Sequence, residues 1–361
     1  MNHCNSDRHV RLRVAFILLS CIFLLLSLNC SVQEKRLFKK DGIVMNTFVS
    51  ITVVSDSRNE AEASIDAAFA EIKKIEKLLN FFSADSEVSL INKNAGLSAV
   101  NVSPDTLKIL KKALQVSQQT HGAFDITVGP VLSLYDFRRK IKPEEKMIEK
   151  ALYLVNYSGV VVNEDESEVF LRKKNMLVNL GGIAKGYAAD KAVAALKERR
   201  IESGLVAIAG DIRAFGVKPD GNPWKVGIRN PRGEGKEDDI MAVIHLRDMS
   251  VSTSGDYERF FMDNGKRYHH LISPKTGHPA SECISVSIIA SEAALTDSFA
   301  TGVFILGPEK GLHVLRKLGF DGLIVDAEGK IHMTPGLKRM IELKREAKLH
   351  LVTYNQDLEK K

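Results

Sequence analysis

The sequence predicts an α/β or α+β fold built on one large mixed sheet with flanking helices. Two observations predict it. Short β-branched runs bounded by turn residues recur from residue 42 onward, and helix-period stretches are interspersed among them. The chain is also long enough for a large core, at 361 residues with 44% apolar and 27% charged side chains.

The N-terminus is read first. "MNHCNSDRHVRLR" is basic and "VAFILLSCIFLLLSL" is an unbroken apolar run, the layout of a secretory signal over residues 1–29. The run ends in "LLSLNC", a loose bacterial lipobox, so Cys30 is expected to become the lipidated first residue, with 30–41 a lysine-rich tether. The protein is therefore expected to be exported, anchored by lipid to a bacterial membrane and facing the periplasm. Cys4 and Cys21 leave with the signal, and with Cys30 lipidated only Cys283 remains, so no internal disulfide holds the fold. Net charge is +6, and the first 29 residues hold three arginines and one aspartate, leaving +4. The basic residues are dispersed, which excludes a nucleic-acid footprint.

The elements follow in order. "GIVMNTFVSITVVS" (42–55) reads as a strand. "EAEASIDAAFAEIKKIEKLLNFF" sets Ile65, Phe69, Ile72 and Leu79 on one helix face. Ser103-Pro104-Asp105 starts a second helix, "LKILKKALQVSQQ". "EVFLRKKNMLVNL" reads as a hairpin, then "GGIAKG" and a helix through "YAADKAVAALKERR". "GLVAIAGDIRAFG", "WKVGIRNP", "MAVIHLRDMSVSTS", "RYHHLI" and "ISVSIIA" read as strands, and "AALTDSFATGVFIL" as a helix. "DGLIVDAEGKIHMTPG" is a hairpin turned by "AEGK". Residues 42–337 form one domain, and 338–361 a charged helical tail with Met340, Ile341 and Leu351.

Six segments could carry chemistry. Asp297 and Thr301, four apart on a helix, present hard oxygen donors on one face, which suits Mg²⁺, although such a pair taken alone is far more often a solvated helix face. "NLGGIAKGYAAD" (179–190) joins a glycine pair and Lys185 to a helix start, where anions are attracted. "GAFDITVGP" offers Asp125 beside Phe124; "AIAGDIRAFG" offers Gly210 and Asp211; "STSGDYERFF" offers Ser254, Asp256 and Tyr257. "KRYHHLISPKTGHPA" (266–280) runs His269 and His270 into a turn dense in Pro and Gly. Neighbours on a strand, the two histidines are expected to point to opposite faces.

These motifs, with "MNTFVSI", "FFSADSEVSLIN" and "TDSFATGVFILG", occur in order from 45 to 307. The set resembles the ApbE family of FAD:protein FMN transferases. The resemblance implies an α+β (mixed α/β) fold of the ApbE type and an exported enzyme. That enzyme binds FAD and Mg²⁺, cleaves the pyrophosphate and attaches FMN by a phosphoester to a Thr or Ser of an acceptor flavoprotein, such as a redox-pump subunit, releasing AMP. It implies metal ligation by Asp297, Thr301 and the Gly182 carbonyl. It implies flavin-site positions at Met45, Phe82, Ala123, Phe124, Asp125, Asn179, Lys185, Asp256 and Leu271, and His270 as catalytic base. The sequence departs from the family pattern at Asn46, where glycine is usual, at Asn179, where aspartate is common, and at Ala209, where a second glycine is usual; Phe82 stands where Tyr is frequent. Two alternatives share the site: an Mg²⁺-dependent FAD pyrophosphatase, and an FAD-binding lipoprotein without turnover.

Overall fold

The structure is a computed structural model, described over residues 34–233, 239–344 and 347. The signal, Cys30 and most of the tail lie outside the described residues.

In chain order the elements begin β1 (Arg36–Val44), β2 (Thr47–Ser55), α1 (Arg58–Leu79), α2 (Glu87–Lys93), β3 (Val100–Asn101), α3 (Pro104–Gln119), α4 (Gly129–Leu132) and α5 (Glu145–Leu152). They continue with β4 (Val160–Asn163), β5 (Glu168–Leu171), α6 (Ala184–Glu198), β6 (Gly204–Ile208), β7 (Asp211–Phe215), β8 (Trp224–Arg229), β9 (Ile240–Leu246) and β10 (Ser250–Gly255). Last come β11 (Phe260–Asp263), β12 (Lys266–His269), β13 (Cys283–Ala290), α7 (Ala293–Leu306), α8 (Pro308–Leu318), β14 (Asp321–Asp326), β15 (Ile331–Met333) and β16 (Ile341–Leu343).

Eight strands form the main sheet in the order β1-β2-β6-β7-β10-β13-β14-β15. Every pairing in it is antiparallel, so the α+β class holds but the sheet is not mixed. Hairpins and returning connections supply all its neighbours, and no crossover of the parallel kind is needed. One face packs on α1, α6, α7 and α8, with α3 stacked on α7. There Ile65, Phe69, Ile72 and Leu79 are buried as the helix period predicts, with Val49, Ile51 and Val53 beneath them. The other face carries a second core under the small sheet β16-β9-β8, centred on Trp224, Val226, Ile244 and Leu246.

Four local expectations are corrected. Residues 42–55 are two strands, because Met45 and Asn46 both adopt positive φ (56° and 55°) and close a two-residue hairpin. Residues 36–41 of the expected tether belong to β1, where pairing with β2 satisfies their backbone. Residues 168–180 make only β5, which pairs with β3 and β4, before the chain runs on irregularly to the glycine pair. In the expected helical tail, Ile341–Leu343 is strand β16 on β9, since Ile341 and Leu343 gain apolar cover there. Cys283, the one cysteine among the described residues, is a buried free thiol, and burial pushes its pKa up to about 12.

Candidate active site

The site lies where one end of the main sheet meets α6 and α7. Three sheet features share that end. The Phe48 carbonyl accepts from the Ala209 amide (3.0 Å), which ties the β1–β2 tip to the β6–β7 turn. Asp211, just after that turn, pairs in register with Ser252 of β10. Ser254 lies two residues further along β10.

Helices α6 and α7 touch backbone to backbone. A Cβ on Gly186 would lie 2.1 Å from the Ala293 carbonyl oxygen, so only glycine allows this approach. Asp190, one turn on, accepts from the Ala293 and Ala294 amides (both 2.9 Å) and caps the start of α7 in place of Glu292, whose side chain makes no cap. Arg213 lies 3.4 Å from the same carboxylate.

That contact delivers Lys185 to two buried carboxylates. Its Nζ lies 2.7 Å from Asp211 and 3.3 Å from Asp297, and the Gly186 amide donates to Asp297 (3.1 Å). Burial, then the Asp211 charge, holds the Asp297 carboxyl above its usual range, against the pull of Lys185. Burial opposes the Lys185 charge, but Asp211 and Asp297 together keep it firmly protonated. The sequence marks Asp211 only as a loop aspartate after Gly210; its role appears when β7 is aligned beside α6.

Thr301, one turn along α7 from Asp297, faces Ser254 (Oγ to Oγ1, 3.3 Å). A Cβ on Gly182 would sit 3.4 Å from Thr301 Oγ1 and 3.1 Å from the Phe124 ring, so the glycine loop abuts this hydroxyl. Gly182 thus abuts Thr301, which lies one turn along α7 from Asp297. Among the described residues no three His, Cys, Asp or Glu side chains converge as a metal cage. The donors here are carboxylate, hydroxyl and carbonyl oxygens, a set that fits Mg²⁺ and leaves positions for phosphate oxygens. Because the shorter bond of Lys185 is to Asp211, Asp297 can turn to a cation without stranding the lysine.

The glycine loop is held by Asn179, whose Oδ1 accepts from the Gly181 amide (2.8 Å) and whose own amide donates to Ile126 (2.7 Å). Ala123 and Phe124 are buried beside it. Asp125 is a buried cap: it accepts from Thr127 N (2.7 Å), Thr127 Oγ1 (2.6 Å) and Tyr157 N (3.0 Å), while burial raises its pKa. Met45 forms the hairpin tip described above. Phe82 follows the end of α1, the residue 83% exposed and its ring edge-on to Phe81, free to stack on a ligand. Asp256 is committed to Arg232 through two bonds (2.7 and 2.6 Å), with Arg267 at 3.7 Å. Asn46 and Ala209 occupy positive φ, the region that suits the glycines usual there in the resembled family.

The two histidines do different work. His269 ends β12, buried, its Nε2 on the Ala280 carbonyl (2.8 Å) and its Nδ1 accepting the Leu271 amide (3.3 Å), with the ring edge-on to Phe304. It clamps the Pro- and Gly-rich turn and buries Leu271, which is 4% exposed. His270 lies just beyond the strand, so strand alternation does not orient it. Its amide donates to the Arg259 carbonyl (3.1 Å), and its enclosed Nδ1 has no hydrogen-bond partner. Burial first, then the charges of Arg259, His269 and Lys185, lower its pKa to about 3, so it is neutral at physiological pH.

A model of the ApbE family matches residues 45–324. The FAD:protein FMN transferase of Haemophilus influenzae is 32% identical over 81% of this chain and 87% of its own length. The FAD:protein FMN transferase of Treponema pallidum is 33% identical over 84% and 88%. Among solved structures, the ApbE protein of Thermotoga maritima superposes with a TM-score of 0.79 at 33% identity, over 84% of this chain and 99% of that one. The flavinyl transferase ApbE of Pseudomonas stutzeri gives 0.75 at 28%, over 86% and 98%.

Proposed function

This chain belongs to the ApbE family, and on that premise we propose that it is an Mg²⁺-dependent FAD:protein FMN transferase acting on a Thr or Ser of an acceptor flavoprotein. The observation that carries the reading is the convergence of Asp297, Thr301 and Gly182 beside Lys185, with His270 Nδ1 buried and unpartnered.

Phosphoryl transfer is mostly positioning and charge neutralisation. Lys185, fixed between two carboxylates, gives the diphosphate a half-buried cation at the start of α6, where backbone amides also favour anions. Asp297, Thr301 and the Gly182 carbonyl would hold the metal. Bound there, Mg²⁺ would neutralise phosphate charge as the diphosphate is cleaved. Phe82 offers an exposed face for the flavin or adenine ring, and Met45, Phe124, Asn179 and Leu271 shape the flavin side.

The acceptor hydroxyl attacks the FMN phosphorus. A new oxygen–phosphorus bond forms, the bond to the bridging oxygen breaks, and its electron pair departs on AMP. The His270 imidazole takes the hydroxyl proton and later yields it to solvent. A pKa of about 3 would make a feeble base, so substrate must tune it. The anionic diphosphate answers the cations that depress the imidazole, and raises its proton affinity as the reactants assemble.

Asp297→Asn tests the reading. Turnover in Mg²⁺ should fall by at least about 10²-fold with FAD binding kept, since the ring contacts lie elsewhere. Normal turnover would remove Asp297 from the mechanism. Membrane attachment through lipid on Cys30 belongs to the same proposal, supported by the basic segment, apolar run and "LSLNC". Cys30→Ser should leave the protein unprocessed or soluble, and a variant that is processed and fractionates like wild type would end that part.

A further inference from the structure

Four cations surround the His269–His270 turn: Lys185, Arg232, Arg259 and Arg267. Three are committed. Lys185 is held by Asp211 and Asp297, and Arg232 and Arg267 by Asp256. Arg267 also lies over the Phe260 ring at 4.1 Å. Arg259 is the exception. Its residue is exposed, and among the described residues no carboxylate pairs with it, the adjacent Glu258 included.

Its position is nonetheless fixed. Phe260 pairs with His269 in the β11–β12 hairpin, and one step beyond, the Arg259 carbonyl accepts from the His270 amide (3.1 Å). That places the two residues directly across from each other, where Cβ atoms lie within roughly 4.5–5.5 Å and long side chains interact. The Arg259 charge already disfavours protonation of the His270 ring, second only to burial. The Arg259 residue is exposed and free of any carboxylate among the described residues, so it is available to a ligand, and its forked donors match phosphate oxygens.

We propose that Arg259 is a substrate-binding residue for the transfer reaction, its guanidinium engaging the diphosphate oxygens of FAD opposite His270 and holding charge on the leaving phosphate. The inference rests on the transferase reading above. It adds a cation carried by the β11–β12 hairpin to the one carried by α6. The same contact removes the repulsion that Arg259 exerts on an imidazolium at His270, so binding of the diphosphate and readiness of the base are linked through one side chain.

The test compares Arg259→Gln and Arg259→Lys with wild type in FAD turnover, ADP competition and riboflavin binding. Riboflavin carries the ring without phosphate. Wild type must first turn FAD over; if it does not, the transferase reading fails and not the role of Arg259. Given wild-type turnover, Arg259→Gln should lower kcat by roughly 10²-fold and weaken ADP competition, with riboflavin affinity and melting temperature unchanged. Arg259→Lys should recover part of the loss, because the charge returns without the fork. Turnover and ADP competition equal to wild type would overturn the proposal. So would equal weakening of riboflavin and ADP, which would mark a general disturbance of the site.

Discussion

Replacing Gly186 with alanine adds one methyl group where the site has no room for it. The new Cβ would lie 2.1 Å from the Ala293 oxygen, 2.5 Å from its carbon and 2.8 Å from the Ala294 nitrogen, all backbone atoms. Ordinary contact begins at 3.4 Å, so α6 and α7 must part by about 1.3 Å at this point. In a free helix the change would help by about 1 kcal/mol. Here overpacking of 1–3 kcal/mol opposes it, and the separation also stretches the two Asp190 bonds that cap α7. A net loss of about 1–2 kcal/mol is expected, which lowers Tm by roughly 2–6 °C in a domain of this size. The functional effect should exceed the stability effect. Lys185 and Asp297, 3.3 Å apart, sit on the two helices being pushed apart, and a misplacement of about 1 Å can cost on the order of 10²-fold in rate. Thermal melts and FAD turnover measured together check this. A variant with unchanged Tm and activity would refute the argument that the α6–α7 contact sets the site.

Other expectations follow from the same geometry. His269→Ala should cost about 2–3 kcal/mol of stability through two lost hydrogen bonds and a cavity, whereas His270→Ala should keep the wild-type Tm and lose turnover by about 10²-fold or more; equal melting losses would make both structural. Ala209→Gly should stabilise by about 0.5–1 kcal/mol, because Ala209 is exposed at φ 52°, and a lower Tm would contradict the strain assigned there. Asp105 joins α3 to α1 and α6: burial opposes its charge, but bonds from Lys74, Lys191 and Tyr187 pull its pKa down to about 2. A depressed carboxylate stabilises above its unfolded pKa, near 4, and the contribution is lost as pH falls through about 2. Asp105→Asn should therefore melt below wild type at pH 5–7, with the gap closing toward pH 2, and a gap independent of pH would show that the ion pairs contribute nothing.

Much of this architecture was legible because it is periodic or punctuated. The Ile65–Leu79 stripe, the Ser103-Pro104 helix start and the "TDSFATGVF" helix carry their structure in local spacing. The strand pair hidden in 42–55 was not legible, because Asn46 signals a turn less strongly than glycine and the β-branched run continues past it. Ile341–Leu343 is illegible for the opposite reason: its charged flanks look helical, and only the edge of β9 makes a strand there. At the site, the meeting of Gly182, Asp297 and Thr301 was expected from motif resemblance, but the Lys185–Asp211 pair was not. Those two residues are far apart in sequence, and only the Gly186–Ala293 contact and the β6–β7 hairpin bring them together. The division of labour between His269 and His270 was likewise invisible, since it depends on where β12 ends.

Incubating the purified protein with FAD, Mg²⁺ and an acceptor flavoprotein domain, followed by intact-mass analysis of the acceptor and quantification of AMP, tests the central claim directly. The account predicts FMN covalently attached at one Thr or Ser, AMP released in equal amount, and loss of both with EDTA. Free FMN and AMP with an unmodified acceptor, or unchanged FAD, would contradict it.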